Sequence, residues 1–388
     1  MSHEPSIVGA GGQISPSVPG PIRPEEAPSR LLRRAVVRFL NAGIPEERAA
    51  WLDLWARGPD REVMAHPDYV RLFLRPGDRA IGVVLEGEGG GVIYPVIERP
   101  LRTEPWAAPD EEARDLTTAY GYGGPFAWGI SSVDRDGFWS QFRAWARRER
   151  IVFAFARLGL DPEKQIEFDG DVRVNAPTIV RTLEVSDAEL WGDYQHRVRQ
   201  NVNRARRCGL RFVVDRTGER LDDFLRVYTS TMKRRGALDQ YYFPRSFFES
   251  IIRDLAGSMV FFHVLNGDRV VSSELVLLSR RHAYSYLGGS VPEAFDVRAN
   301  DFLKHETFLW LRDTGWKAML LGGAYRGSEG VLQYKRSLAP GGEVPFRIGT
   351  QSYDPASVER LVATRRRWEN DRGRVWTPDP AFFPVYRA

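Results

Sequence analysis

The residues able to do chemistry in this 388-residue chain are mostly cationic and aromatic. Five of its 55 basic residues are lysines (Lys164, Lys233, Lys304, Lys317 and Lys335), and the rest are arginines. Arginine presents a planar fork that matches phosphate and carboxylate, whereas lysine is a compact point charge. The excess of arginine therefore reads either as selection for anion recognition or as a coding bias. Arg197, Arg199, Arg204, Arg206 and Arg207 crowd into one stretch. A basic face of that kind can neutralise phosphates, with binding that falls as salt rises, or it can simply be solvated; acidic residues elsewhere hold the net charge to +4. Other chemistries drop out. Gly327-Ser328-Glu329-Gly330 has the wrong spacing for a nucleophile elbow, and no phosphate-cradling GxxxxGK[ST] loop is present. The six histidines are scattered and Cys208 is the only cysteine, so no metal site, disulfide framework or thiol relay is expected within the chain. A reducing cytoplasm fits this cysteine usage.

The elements that must position these residues follow from hydrophobic pattern. With 43% hydrophobic and 27% charged residues, the chain reads as an ordinary globular protein of two domains. No apolar run reaches the roughly 18 residues of a membrane span. Residues 1–30, rich in Gly, Pro and Ser, read as a disordered tail. Leu31 to Leu54 carries apolar residues at near-helical spacing (Leu32, Val36, Phe39, Leu40, then Ala49 to Trp55), which predicts that helical structure opens the first domain. Ala80–Leu85 and Val92–Ile97 around a Gly-rich turn predict a hairpin, followed by a Gly/Tyr loop at Tyr120 to Gly124, a helix over Phe138–Arg148 and a strand over Ile151–Leu158. The second half replays this order. Leu190 to Arg207 predicts one helix with Trp191, Tyr194, Val198, Val202 and Ala205 on a narrow face. Another helix spans Leu221 to Met232, and a hairpin spans Met259 to Leu278. Strand Ala283–Leu287, helix Asp301–Thr314 and strand Ala318–Leu321 complete the series. The repeat implies an internal duplication of an α+β unit, with domains over residues 31–183 and 184–349 and residues 350–388 returning to complete the first sheet.

The segments Tyr284-Ser285-Tyr286-Leu287-Gly288-Gly289-Ser290, Arg298-Ala299-Asn300-Asp301-Phe302-Leu303, Gly315 to Gly322-Gly323, and Gly330-Val331-Leu332-Gln333-Tyr334-Lys335 occur in that order. The series resembles the second domain of the Fem-type family, aminoacyl-tRNA-dependent peptidyltransferases built from two GNAT-like domains. In that family a strand ending Y-x-x-G-(A/G)-S, a helix, a strand ending in Gly-Gly and a terminal (F/Y)-K recur in sequence. Ala205 to Leu210 resembles its A-x-x-x-G-(V/L), Thr231 to Tyr242-Phe243 its T-x-x-R segment before an aromatic pair, and Tyr120 to Pro125 a loop of its first domain. Bi-domain GNAT proteins of polysaccharide biosynthesis share much of the pattern. The resemblance covers residues 51–348 and implies an α+β fold of two GNAT-like domains, with mixed, mainly antiparallel sheets and a cleft between them.

An acetyl-CoA enzyme of the GNAT superfamily presents a (Q/R)-x-x-G-x-(G/A) turn whose backbone N–H groups cradle pyrophosphate. Here Ser290 to Asp301 contains no glycine, which argues against ordinary CoA binding. The resemblance then implies an aminoacyl-tRNA as donor substrate with no cofactor, and a small amine acceptor such as a peptidoglycan precursor or a secondary-metabolite amine or peptide. Lys335 is the expected catalytic cation with Tyr334 beside it. Arg234 or Arg235 would hold an acidic part of the acceptor. Tyr242, Tyr286, Tyr120, Tyr122, Gly124, Arg298, Asn300, Gly322 and Gly323 would line the substrate cleft, and Arg197, Arg199, Arg204, Arg206 and Arg207 would face tRNA. Each has a plainer alternative: a packed surface lysine, a solvated helix end, a core aromatic, a tight turn. Two rival functions stay open, an acyl-CoA-dependent N-acyltransferase and a non-catalytic RNA- or peptide-binding homologue.

Overall fold

Residues 36–87, 89–323, 329–379 and 381–388 are described by the structure, a computed structural model; the tail expected over 1–30 lies outside them. In chain order the first half gives β1 (Val37–Asn41), α1 (Pro45–Arg57), α2 (Pro67–Arg71), β2 (Arg79–Gly87), β3 (Gly90–Pro100), β4 (Arg114–Thr117), β5 (Phe126–Trp128), α3 (Ser132–Arg148), β6 (Ile151–Arg157) and β7 (Asp171–Thr182). The second half gives α4 (Asp187–Asp193), α5 (His196–Arg207), β8 (Arg211–Asp215), α6 (Leu221–Arg235), α7 (Arg245–Asp254), β9 (Met259–Asn266), β10 (Arg269–Leu278), β11 (His282–Ser290), α8 (Ala299–Asp313), β12 (Ala318–Gly322), α9 (Glu329–Leu338), β13 (Glu343–Ser352) and α10 (Pro355–Asn370).

The two halves repeat one pairing scheme. An edge strand (β1, β8) lies antiparallel to a hairpin (β2–β3, β9–β10). A helix then bridges a parallel pair, α3 between β4 and β6 and α8 between β11 and β12. Parallel neighbours require such a crossover, whereas antiparallel ones close through tight turns. The thirteen strands among the described residues form a single mixed, mainly antiparallel sheet in the order β1-β2-β3-β4-β6-β13-β7-β12-β11-β10-β9-β8, with β5 on β3. At its centre the halves exchange strands: β7 pairs with β12, and β13 is threaded between β6 and β7. The strand that returns to β6 is thus β13, and the residues after Tyr353 form α10 over a small core of Leu101, Trp106, Val152 and Leu361.

Cores lie on both faces of the sheet. Along β10, Val276 and Leu278 join one cluster with α5 and α8, while Leu275 and Leu277 join another with α6 and α7, as the alternation of side chains across a strand dictates. The second cluster also takes in Trp51 and Tyr69 of the first half, so both halves share it.

Two expected elements differ. Val37–Asn41 is a strand rather than a helix, because pairing with β2 satisfies its backbone and buries Val37 and Leu40. The expected helix over 190–207 is two, α4 and α5, broken where Tyr194 and Gln195 take ψ of 142° and 146°. Its apolar face survives the break, with Leu190, Tyr194, Val198, Val202 and Ala205 buried.

Candidate functional site

Strands β11 and β12 pair only from His282 to Tyr284 against Ala318 to Leu320. Beyond that β11 continues along β10 to Ser290, while β12 turns away at Gly322, whose φ is +80°. Past Tyr284 and Leu320 the two strands no longer pair, which leaves a gap at their C-terminal ends. Helix α9 carries Lys335 into it, where Nζ donates to the Gly323 carbonyl at 2.6 Å. A Cβ at Gly322 would stand 3.3 Å from Lys335 Nζ and 3.8 Å from Tyr122 Oη. The glycine therefore serves both the left-handed turn and the close approach of the ammonium.

Burial lowers the Lys335 pKa to about 8, with the charge of Lys304 adding to the effect and Glu274 opposing it. Lys304, from α8, is bonded to Glu274 of β10 and donates to Ser285 Oγ at 2.8 Å, and Ser285 also bonds Glu274. The second Glu274 oxygen, Oε2, is buried and has no hydrogen-bond partner among the described residues. Beside this cluster the Tyr334 hydroxyl accepts from Asn300 Nδ2 at 2.7 Å, and burial pushes its phenol well above the ordinary range, so it stays neutral. From the first half, Tyr122 Oη lies 2.8 Å from Thr178 Oγ1 on β7.

The gap thus assembles Lys335, Tyr334, Asn300, Gly322, Gly323 and Tyr122 of the residues expected from sequence. A second group stands along the cleft. Tyr286 and Tyr120 approach edge to face, with ring centroids 6.1 Å apart, and Tyr286 Oη lies 3.4 Å from that of Tyr69. Arg234 donates to the Ser290 carbonyl at 3.0 Å and stacks over Phe295, so it sits at the far end of β11, while Arg235 and Tyr242 are exposed. Arg298 precedes α8 in the left-handed conformation, φ +58°. Gly124, φ +105°, closes the Tyr120 loop against Gln165 and does not reach Lys335. On α5, Arg199 is spent on the Gly192 and Tyr194 carbonyls and Arg206 on His305. Arg197, Arg204 and Arg207 point to solvent.

Lys304, Glu274 and Ser285 were missed in the sequence, although the signals exist: Lys304 is as rare a residue as Lys335, and Glu274 interrupts an apolar strand. A cavity of about 280 Å³ lies beyond Tyr122, lined by Tyr284, Leu320, Val180, Leu160 and Glu62. There Glu62 accepts from the hydroxyls of Ser279 and Tyr284. Among the described residues no cluster of His, Cys, Asp or Glu could hold a metal ion, and no helix is long and apolar enough to cross a membrane.

Residues 192–336 match the family described as Acetyltransferase (GNAT) domain. The chain is similar in fold to FemX, with TM-score 0.61 and 14% identity over 81% of this chain and 97% of that one. It is also similar to the C-terminal domain of a putative lysylphosphatidylglycerol synthetase from Agrobacterium fabrum (TM-score 0.51, 14% identity, 83% and 97% covered). L-PGS from Bacillus licheniformis is a third likeness (0.50, 12%, 83% and 96%). No curated protein matches the chain by sequence. The fold is accordingly the GNAT-type acyltransferase fold in duplicate, one half matched directly and the other repeating its strand order.

Proposed function

We propose that the protein transfers an aminoacyl group from aminoacyl-tRNA to the amine of a small acceptor, a peptidoglycan precursor or a secondary-metabolite amine or peptide. The observation that carries this reading is Lys335, held in the gap between β11 and β12 against Gly322 and Gly323, on a fold shared with FemX. In the transfer the acceptor amine attacks the ester carbonyl. The amide C–N bond forms, the ester C–O bond breaks, and the ribose hydroxyl of the tRNA leaves with the proton lost by the amine. An activated ester needs alignment and charge stabilisation more than a strong base. The Lys335 ammonium would donate to the tetrahedral oxyanion, and the neutral phenols of Tyr334 and Tyr122 would flank it. The solvent-facing Arg197, Arg204 and Arg207 would meet the tRNA backbone.

A second reading, acyl-CoA as donor, is favoured by the family match over 192–336. One experiment separates the two. The protein is incubated with a mixed pool of tRNAs charged with radiolabelled amino acids, with and without small amine acceptors, beside an acetyl-CoA arm. Enzyme-dependent transfer from one charged tRNA is expected. Consumption of acetyl-CoA alone overturns the tRNA reading, and tRNA binding without transfer to any amine points to a non-catalytic homologue.

A further inference from the structure

Arg157 ends β6 and differs from the buried arginines of the fold. Arg387 pairs with Asp115 and Glu104, Arg99 with Asp115, and Arg181 with Asp193. The Arg157 guanidinium has no carboxylate partner among the described residues. It donates to the Thr118 carbonyl at 3.2 Å and lies over the Phe155 ring at 5.1 Å. Burial lowers its pKa, with the charge of Arg99 adding to the effect and the phenols of Tyr120, Tyr69 and Tyr241 opposing it. An arginine stays protonated in any protein setting, and a sequestered charge without a counter-ion is costly.

Its surroundings hold it in place. The Arg157 backbone N–H donates to Thr118 Oγ1 at 2.9 Å, and its carbonyl accepts from Gly123 at 3.1 Å. Gly121, φ +107°, packs against Met64 and the Tyr69 hydroxyl, and that hydroxyl donates to the Tyr120 carbonyl. The Tyr120 loop, β6 and α2 are therefore stitched together beside Arg157, whose side chain remains partly exposed. Tyr120, 43% exposed, and Tyr286 form the neighbouring wall. A fixed cation with no carboxylate partner is preorganised for a planar or tetrahedral oxyanion.

We propose that Arg157, held beside the exposed Tyr120 loop, is a binding site for an anionic group, a carboxylate or a phosphate, on a molecule bound against that loop. Assigning that molecule as the acceptor rests on the transfer reading above; the anion binding does not. Binding is therefore measured without turnover, by thermal melting of the full chain in sodium phosphate, sodium succinate or sodium chloride at equal ionic strength. Phosphate or succinate should raise the melting temperature by about 2 °C or more over chloride, since a ligand of the native state alone stabilises it by mass action. Arg157→Met should lose that shift, and in chloride should melt at or above the wild type because the uncompensated charge is gone. Arg157→Lys, which keeps a charge, should retain part of the shift. A response to phosphate alone assigns a phosphate group, and one to succinate alone a carboxylate. No shift in the wild type, an equal shift in wild type and Arg157→Met, or complete loss in both variants overturns the proposal.

Discussion

Lys335 is poised by its surroundings rather than by its own chemistry. Its ammonium has a pKa of about 8 where 10.5 is ordinary, so the charged form dominates below pH 8. If that form supports transfer, the rate should fall on an alkaline limb centred near pH 8, and Lys335→Arg, which stays charged, should move the limb out of the assay range. Lys335→Met should lower turnover about a hundredfold or more, the scale of losing one oxyanion donor. The stability sign runs the other way. The folded state disfavours the charged lysine in full below pH 8, and the penalty fades as pH rises toward the unfolded value, so Lys335→Met should melt no lower than wild type at pH 7. Lys304 behaves differently, because removing it strands the buried Glu274 carboxylate. Lys304→Met should cost about 3–5 kcal/mol in denaturant unfolding, and adding Glu274→Gln should restore most of it. A single variant as stable as wild type would show that the pair contributes nothing.

Helix α5 divides its faces sharply. Val198, Val202 and Ala205 are buried, and the sequence showed that stripe plainly. What the pattern did not show was the break before it, because a helical stripe continues across two helices when both pack on one core. Nor did it show which arginines are free: Arg199 caps carbonyls of the preceding turn and Arg206 holds His305, contacts between segments that spacing does not encode. Replacing Arg197, Arg204 and Arg207 with Ala should leave the melting temperature unchanged and flatten the salt dependence of tRNA binding by about 2–3 in log–log slope, at roughly 0.7–0.9 per phosphate contact. An unchanged slope would remove α5 from the RNA surface. β1 shows the converse limit, since a short apolar run fits helix and strand alike and only its pairing with β2 settles it.

At the scale of the molecule, the exchange of β7 and β13 couples the halves. β6 finds its second neighbour in β13, and β12 finds its own in β7, so neither half can complete its sheet alone. Unfolding should accordingly be one cooperative transition, with calorimetric and van't Hoff enthalpies equal. Residues 36–183 expressed alone should aggregate through the open edge of β6, and co-expression with residues 184–388 should recover a soluble complex. Two separated transitions, or a soluble and cooperatively folding 36–183 segment, would show that the exchange is not binding the halves together.

The sequence by itself determined the duplicated α+β order, the two hairpins and the helix-bridged strand pairs. These are local facts, carried by periodicities, turn residues and spacing within a few tens of residues. Only the tertiary structure decided that β13 returns between β6 and β7, that Lys335 approaches Gly322 and Gly323 with Lys304 and Glu274 behind it, and that Arg157 has no carboxylate partner among the described residues. Those depend on contacts between residues far apart in the chain, where burial and neighbouring charge, not residue type, set what a side chain can do.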